Sequence, residues 1–330
     1  MKTKINAYDI AKAANVSAAT VSRFMHHPEK IKNSTAERIQ AAIDKFGYAH
    51  KDTKQNGQKR IILLNVPDIT NIFYAEVIEG AKESAESNGY HLLVDQTALN
   101  ASNILLFATL ITKLHVFGVI ILNQLPTYIL NKIAKMTRVV QCCEYNPSAQ
   151  LPFVSIDDYS AAKMASKQFL VSGKKQLAMI NGNQDFKYAH ERERGFCSAI
   201  TEAGAKINPD WIVSLPVISY DLAYSTAVRL LNQKNHPDAF FCVSDTLGAG
   251  VVSAARKLKL KIPEDVAIIG FDNTIISNVI SPSLTTINQP KWQEGYLAVD
   301  LLVNNYDREQ LNNPDKQINL PVELIVREST

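Results

Sequence analysis

The period of hydrophobic and polar positions along this 330-residue chain changes near residue 60. Beyond that point, apolar runs of strand length alternate with amphipathic stretches. The runs are "IILLNV" (61–66), "HLLVDQ" (91–96), "VFGVIIL" (116–122), "RVVQCC" (138–143), "FVSID" (153–157), "LAMING" (177–182), "AFFCVS" (239–244) and "VAIIGFD" (266–272). Helical stretches lie between most of them, among them 74–89, 159–173 and 247–259. Apolar strands separated by helices predict parallel sheets covered on both faces, an α/β architecture. The length accommodates two such sheets.

Before residue 60 the period is helical and the elements are short. Asn6 can cap a first helix, with Asp9 near its positive end and Ile10, Ala13 and Ala14 on an apolar face. Asn15 tolerates the left-handed conformation that a sharp turn needs. Ser17 is a natural N-cap for a second helix, with Val21 and Phe24 or Met25 pointing inward. "STAE" (34–37) is a capping box that opens a third helix; Ile39, Ala42, Ile43 and Phe46 form its apolar face and Gly47 stops it. Three helices with a tight turn between the first two follow the helix-turn-helix plan, which places the second helix in the DNA major groove. On that helix Ser17, Thr20 and Ser22 can donate to phosphate or bases, and Arg23 can pair with guanine or grip phosphate. Ala18 and Ala19 let it sit deep, with methyls able to touch thymine. The alternative is a surface helix of a small bundle.

Charge favours the DNA-binding alternative. Residues 1–60 hold 12 Lys and Arg against 5 Asp and Glu, a balance of +7; the remainder holds 23 against 27, a balance of −4. The overall +3 thus hides a basic head on a mildly acidic body. The expected organisation is a head at 1–48, a linker at 49–60 and a body at 61–330.

In open α/β sheets, ligands bind beyond the carboxyl ends of the strands. That rule directs attention to 68–74, Asn123 and Gln124, 181–184, Ser244 and Asp245, and Asp272 and Asn273. Catalytic signals are thin. "GAGVVS" (248–253) lies inside a helical stretch without a third glycine, which suits helix–sheet packing better than a dinucleotide loop. There is no P-loop and no GxSxG elbow, and the seven histidines are scattered. Cys142, Cys143, Cys197 and Cys242 form no CxxC pair and are expected to be free thiols in a reducing compartment. No cofactor or metal is expected. No apolar run reaches membrane-spanning length, and no apolar signal core follows the basic N-terminal residues. A cytoplasmic, non-enzymatic protein without a membrane partner is the expectation.

"YDIAKAANVSAATVSRFM" followed by "KIKNSTAERIQAAIDKFGY" resembles the DNA-binding head of the lactose repressor family of bacterial transcription regulators. "GYHLLV", "FGVIIL", "RERGF", "VSDTLGAGVVSAARKLKLKIPEDVAIIGFDN" and "SPSLTTINQP" resemble that family's body segments in order. "HPEKIK", "VPDITNIFYAEVIEG" and "CCEYNPSAQLPFVSID" look most like its cytidine repressor branch. The resemblance implies two periplasmic-binding-protein-like lobes joined by crossovers near 156–158, 287–289 and 320–321. Lobe one then comprises 61–157 and 289–319, and lobe two 158–287 and 320–330. It also implies a homodimer on a double-stranded, near-palindromic operator, with a small-molecule effector between the lobes, a nucleoside or a sugar. Tyr8, Ser17, Thr20, Ser22, Arg23, His26 and Lys30 match DNA-contacting positions, and Ala18 and Ala19 match positions that set operator choice. In the cleft, Phe73 and Tyr74 match ligand-stacking positions, Arg192 the ligand-gripping arginine, and Asp272 the carboxylate that accepts from ligand hydroxyls. Ser244, Asn123 and Gln124 match lesser polar contacts, and Ile218 falls where a large aromatic often sits. Each has a structural alternative: Phe73 and Tyr74 as core, Asp272 as a turn residue, Arg192 as a surface charge. The linker "AHKDTKQNGQKR" departs from the family by lacking an Ala-rich hinge helix with its leucine, and reads as a flexible basic tether. A solute-binding receptor and a nucleoside- or sugar-processing enzyme are the rival classes.

Overall fold

A computed structural model describes residues 12–16, 20–21, 24, 31–46, 61–304, 306 and 316–330. Tyr8, Ser17, Ala18, Ala19, Ser22, Arg23, His26, Lys30 and the 49–60 linker lie outside the described residues. The chain divides into two compact units, residues 1–58 and 59–330.

In the first unit, Asn15 adopts φ 51°, the left-handed turn conformation that its side chain tolerates. Ala14, Val21, Ile39 and Ala42 form a small core, with Val16, Phe24 and Ile43 packed against it. Ala13 is exposed and leaves the apolar face to Ala14. Thr20 is helical and half-buried. Helix α1 (Asn33–Phe46) begins one residue before Ser34, and the N–H groups of Thr35 and Ala36 donate to the Lys32 carbonyl.

The second unit contains two six-stranded sheets. The first has the order β11-β5-β4-β3-β1-β2 and is parallel throughout. Its strands are β1 (Ile61–Asn65), β2 (His91–Asp95), β3 (Val116–Ile121), β4 (Arg138–Cys142), β5 (Phe153–Ile156) and β11 (Gln317–Leu320). Its helices are α2 (Phe73–Ser87), α3 (Ile104–Lys113), α4 (Thr127–Ala134) and α10 (Lys291–Val303). Side chains alternate across this sheet. Ile62, Leu64 and Ile120 pack with Val77, Ala81, Ala298 and Val299 of α2 and α10. Leu63, Val119 and Ile121 pack on the other face with Ile104, Phe107, Ile129 and Ile133 of α3 and α4. Cover on both faces explains why β1 and β3 are apolar along nearly their whole length. Each Ile or Leu so buried contributes about 1.5–3 kcal/mol of transfer free energy.

The second sheet runs β12-β10-β9-β8-β6-β7. Its strands are β6 (Leu177–Asn181), β7 (Ile212–Ser214), β8 (Ala239–Cys242), β9 (Ala267–Asp272), β10 (Thr285–Asn288) and β12 (Glu323–Ile325). Helices α5 (Asp158–Val171), α6 (Lys187–Glu202), α7 (Tyr220–Leu231), α8 (Asp245–Lys257) and α9 (Ile275–Val279) accompany it. All its described pairings are parallel except β10–β12, so the expected parallel sheet ends in one antiparallel edge strand. The chain passes between the sheets three times: from β5 into α5, from β10 into α10, and from β11 into β12. "GAGVVS" lies in α8 and serves packing alone. A Cβ on Gly248 would press on Leu284, and one on Gly250 on the Tyr220 carbonyl oxygen. Among the described residues no helix is long and apolar enough to cross a membrane. All four cysteines are free thiols, Cys142 and Cys242 buried, Cys143 and Cys197 half-buried.

Candidate functional site

A cavity of about 270 Å³ opens between the two sheets, at the carboxyl ends of the strands. Asp68, Phe73, Tyr74, Cys143 and Glu144 reach it from the first lobe. Asp158, Asn183, Tyr188, Arg192, Ile218, Ser244 and Asp272 reach it from the second, and Gln289 lines it from the crossover.

Phe73 and Tyr74 open α2. Their rings meet edge to face, with centroids 5.0 Å apart. Both are at most 9% exposed and belong to the core of the first lobe, and both also line the cavity. The two alternatives raised for them therefore hold together: the core fixes the rings at the cavity wall. Burial holds the Tyr74 hydroxyl well above its ordinary range, so it remains a neutral donor.

Arg192, one turn into α6, is 5% exposed and is no surface charge. Its Nε donates to Asp158 Oδ1 at 2.9 Å, Nη2 lies 2.9 Å from the same oxygen, and Nη1 donates to the Val243 carbonyl at 2.8 Å. The guanidinium lies 3.5 Å from the Phe271 ring centroid and 4.9 Å from that of Tyr188. A cation held by a carboxylate and two aromatic faces is already ordered and loses little further entropy on meeting a ligand. Lys187 completes the cluster, donating to Asp158 Oδ2 at 2.7 Å.

Asp272 ends β9 with φ 100°, and Asn273 follows with φ 50°. The "DN" pair thus makes the turn and also delivers the Asp272 carboxylate to the cavity. Gln289 Nε2 donates to Asp272 Oδ1 at 2.6 Å, and among the described residues none donates to Oδ2. Burial pushes this carboxyl up, while Arg192 and then Lys291 pull it down. The turn is braced from behind. Lys291, 2% exposed, donates to the Asp272 carbonyl at 2.5 Å and lies 3.4 Å from Glu76 of the other lobe. Asp245 accepts from the Thr274 N–H at 2.6 Å and from Thr286 Oγ1 at 2.6 Å. Burial pushes Asp245 up to about 7, with Asp272 adding to the rise. Ser244 caps α8 by accepting from the Leu247 N–H at 3.2 Å, which leaves its own proton free to donate.

Asn123 and Gln124 are not brought to the cavity. Asn123 Nδ2 donates to Asn65 Oδ1 at 2.6 Å, and Asn65 in turn donates to Asp95. This network ties together the strand ends of the first sheet. Gln124 Oε1 is buried without a partner. Sequence reasoning missed Glu144, Asp158, Lys187 and Gln289. Glu144 and Asp158 each lie two residues past a strand, so strand-end reasoning extended to β4 and β5 reaches both. Among the described residues no group of three or more His, Cys, Asp or Glu side chains is placed to hold a metal.

Comparison with known proteins bears on both units. Residues 6–50 match the family described as bacterial regulatory proteins, lacI family, and residues 167–330 match the periplasmic binding protein-like domain. The chain is 31% identical over 327 residues to the HTH-type transcriptional repressor CytR of Escherichia coli (strain K12), covering 98% of this chain and 95% of that protein. It is 30% identical to catabolite control protein A of Priestia megaterium, covering 99% of each. A crystal structure of a LacI family transcriptional regulator from Enterococcus faecium with bound ribose aligns at 26% identity and TM-score 0.70. That alignment covers 82% of this chain and 98% of the other.

Proposed function

The chain belongs to the lacI family of bacterial regulatory proteins, and from that premise we propose that it is a repressor whose hold on operator DNA is set by a small polar effector in the interlobe cavity. DNA binding and control of transcription are the activity of the family. The effector site and its ligand class rest on one observation. An edge-to-face aromatic pair, a pre-ordered Arg192 and an Asp272 oxygen with no hydrogen-bond donor among the described residues converge on one cavity. Aromatic faces suit a nucleobase or a sugar ring, and a free carboxylate oxygen accepts from ribose or hexose hydroxyls. The ribose-bound E. faecium regulator supports a pentose-containing ligand. A nucleoside is the first choice and a free sugar the second. The cavity's volume of about 270 Å³ lies just below the usual range of ligand pockets, about 300 to 1,000 Å³, and so favours a small molecule over an oligosaccharide.

The DNA surface is assigned to Tyr8, Ser17, Ala18, Ala19, Thr20, Ser22, Arg23, His26 and Lys30. The working form is a cytoplasmic homodimer that presents two heads to two half-sites. Effector binding biases the closure of the lobes and through it the spacing of the heads. A thermal-shift screen of nucleosides and free sugars identifies the ligand, and a gel shift on the DNA upstream of its gene neighbourhood tests the head. Arg23→Ala is expected to weaken operator binding at moderate salt by tenfold or more, about 1–3 kcal/mol for a lost bidentate base contact. Undiminished binding by that variant would remove the head assignment.

A further inference from the structure

The cavity contains an anion site that the protein has already filled. Helix α6 is 16 residues long, and its N-terminus faces the interlobe space without a side-chain cap of its own, Phe186 standing at the N-cap. Such a terminus, with free N–H groups and the positive end of the helix dipole, is a ready receptor for phosphate. Here the N–H groups of Lys187 and Tyr188 donate to Glu144 Oε2 and Oε1 at 2.9 and 3.0 Å. Glu144 follows β4 in the opposite lobe, is 3% exposed and lines the cavity. Among the described residues at this terminus, each cation already has a carboxylate partner. Lys187 is paired with Asp158, and Arg192 is shared between Asp158 and the Val243 carbonyl. Among the described lining residues Arg192 is the only cation, against Asp68, Glu144, Asp158 and Asp272.

On the reading that this cavity receives the effector, we propose that Glu144 is a specificity-determining residue. Its carboxylate occupies the anion site at the N-terminus of α6, so the cavity selects uncharged ligands, nucleosides or free sugars, against their phosphorylated forms. A phosphate brought to this terminus must displace a buried carboxylate that holds two backbone hydrogen bonds, or lie beside it as a like charge, and both are costly. The carboxylate also links the lobes, so the discrimination acts on the closed arrangement. Burial pushes Glu144 up to about 7; Lys187 and the two N–H donors oppose the rise, and Asp158 adds to it. Glu144 also faces Tyr74, Tyr188 and Cys143, each of which is held neutral by burial. The exclusion is therefore strongest above pH 7 and relaxes as Glu144 gains its proton below it.

The test uses the full-length protein at pH 8 with inorganic phosphate as probe, followed by calorimetry and thermal shift. Phosphate bound by the basic head is common to all variants and cancels in the comparison. Glu144→Ala is expected to gain a saturable phosphate site at least tenfold tighter than any in the wild type. Glu144→Ser, whose short side chain cannot span to α6, provides the same readout if the alanine variant does not fold. The wild type is expected to bind a nucleoside at least tenfold more tightly than its 5′-monophosphate, and the variant to narrow that ratio. A wild type that binds no nucleoside or sugar, beside a variant that gains phosphate, would remove the effector reading and support the filled anion site. Equal phosphate affinity in wild type and variants overturns the proposal, as does a wild type that binds nucleoside and monophosphate alike.

Discussion

Asp272 and Glu294 show how far single residues can be read. "GFDN" at a strand end marks Asp272 for a turn or for a ligand, and the structure does both: the backbone turns at φ 100° and the residue lines the cavity. Asp272→Ala is expected to reduce effector affinity about tenfold or more, the loss of a charge-assisted hydrogen bond worth about 1.5–3 kcal/mol. The check is a ligand-induced melting shift that is smaller in that variant than in the wild type at the same ligand concentration. Glu294 gives no sign of its state in the sequence "KWQEGY", because its environment is made by two lobe-one helices and the ends of distant strands. It is fully buried, and among the described residues the Cys143 thiol, a weak donor, is the one group that offers its carboxyl a hydrogen bond. Burial pushes it up to about 8, with Asp158 and Asp272 adding to the rise and Arg192 opposing it. A carboxyl whose folded pKa exceeds its ordinary 4.5 keeps in the folded state a proton that the unfolded chain releases. Its stabilising contribution is complete below 4.5 and is lost as pH rises through 8. Glu144 and Asp245, both pushed up to about 7, act in the same direction. The melting temperature is therefore expected to fall between pH 5.5 and pH 9. Glu294→Gln should flatten that slope and melt above the wild type at pH 9, as measured by circular dichroism.

At the scale of elements, burial decides what the sequence reveals. The strands covered on both faces were legible as continuous apolar runs and appear within a residue or two of the expected limits. β7, β10, β11 and β12, with sequences "IVS", "TTIN", "QINL" and "ELI", were not. They are three or four residues long, and three of them are edge strands, so no long apolar run announces them. Thr285 and Thr286 are fully buried because Ser329, Arg327 and Asp245 satisfy their polar atoms, a device that a hydropathy pattern does not carry. The close pairing of α2 with α10 was equally hidden. A Cβ on Gly80 would fall on the Trp292 carbonyl, and one on Gly295 on the Val77 carbonyl. Gly80→Ala must push these helices apart and is expected to cost about 1–3 kcal/mol, read as a lower denaturant midpoint at unchanged slope. In the head, Asn15 was legible because few residues other than Gly accept its turn. Asn15→Val is expected to destabilise that unit by about 1–2 kcal/mol, seen as an earlier melting phase.

At the scale of the whole molecule, what the sequence could not show is what the two lobes create together. Glu144, Asp158 and Lys187 carry no local sequence signal of their role. Their partners lie 29 to 44 positions along the chain, and two of these hydrogen bonds join one lobe to the other. Lys291 bridges the same gap between Glu76 and the backbone of Asp272. These contacts join the two lobes beside the cavity, and a ligand there biases closure if it binds one arrangement better than the other. The central claim is that this bias reaches the DNA. The most direct measurement is fluorescence anisotropy of full-length protein on labelled operator, with and without a saturating cavity ligand, for wild type and Asp272→Ala. The ligand is expected to change the wild-type operator Kd by fivefold or more, a coupling of about 1–3 kcal/mol, and to leave the Asp272→Ala value unchanged. A ligand that raises the melting temperature of the wild type yet leaves its operator affinity unaltered would contradict the account.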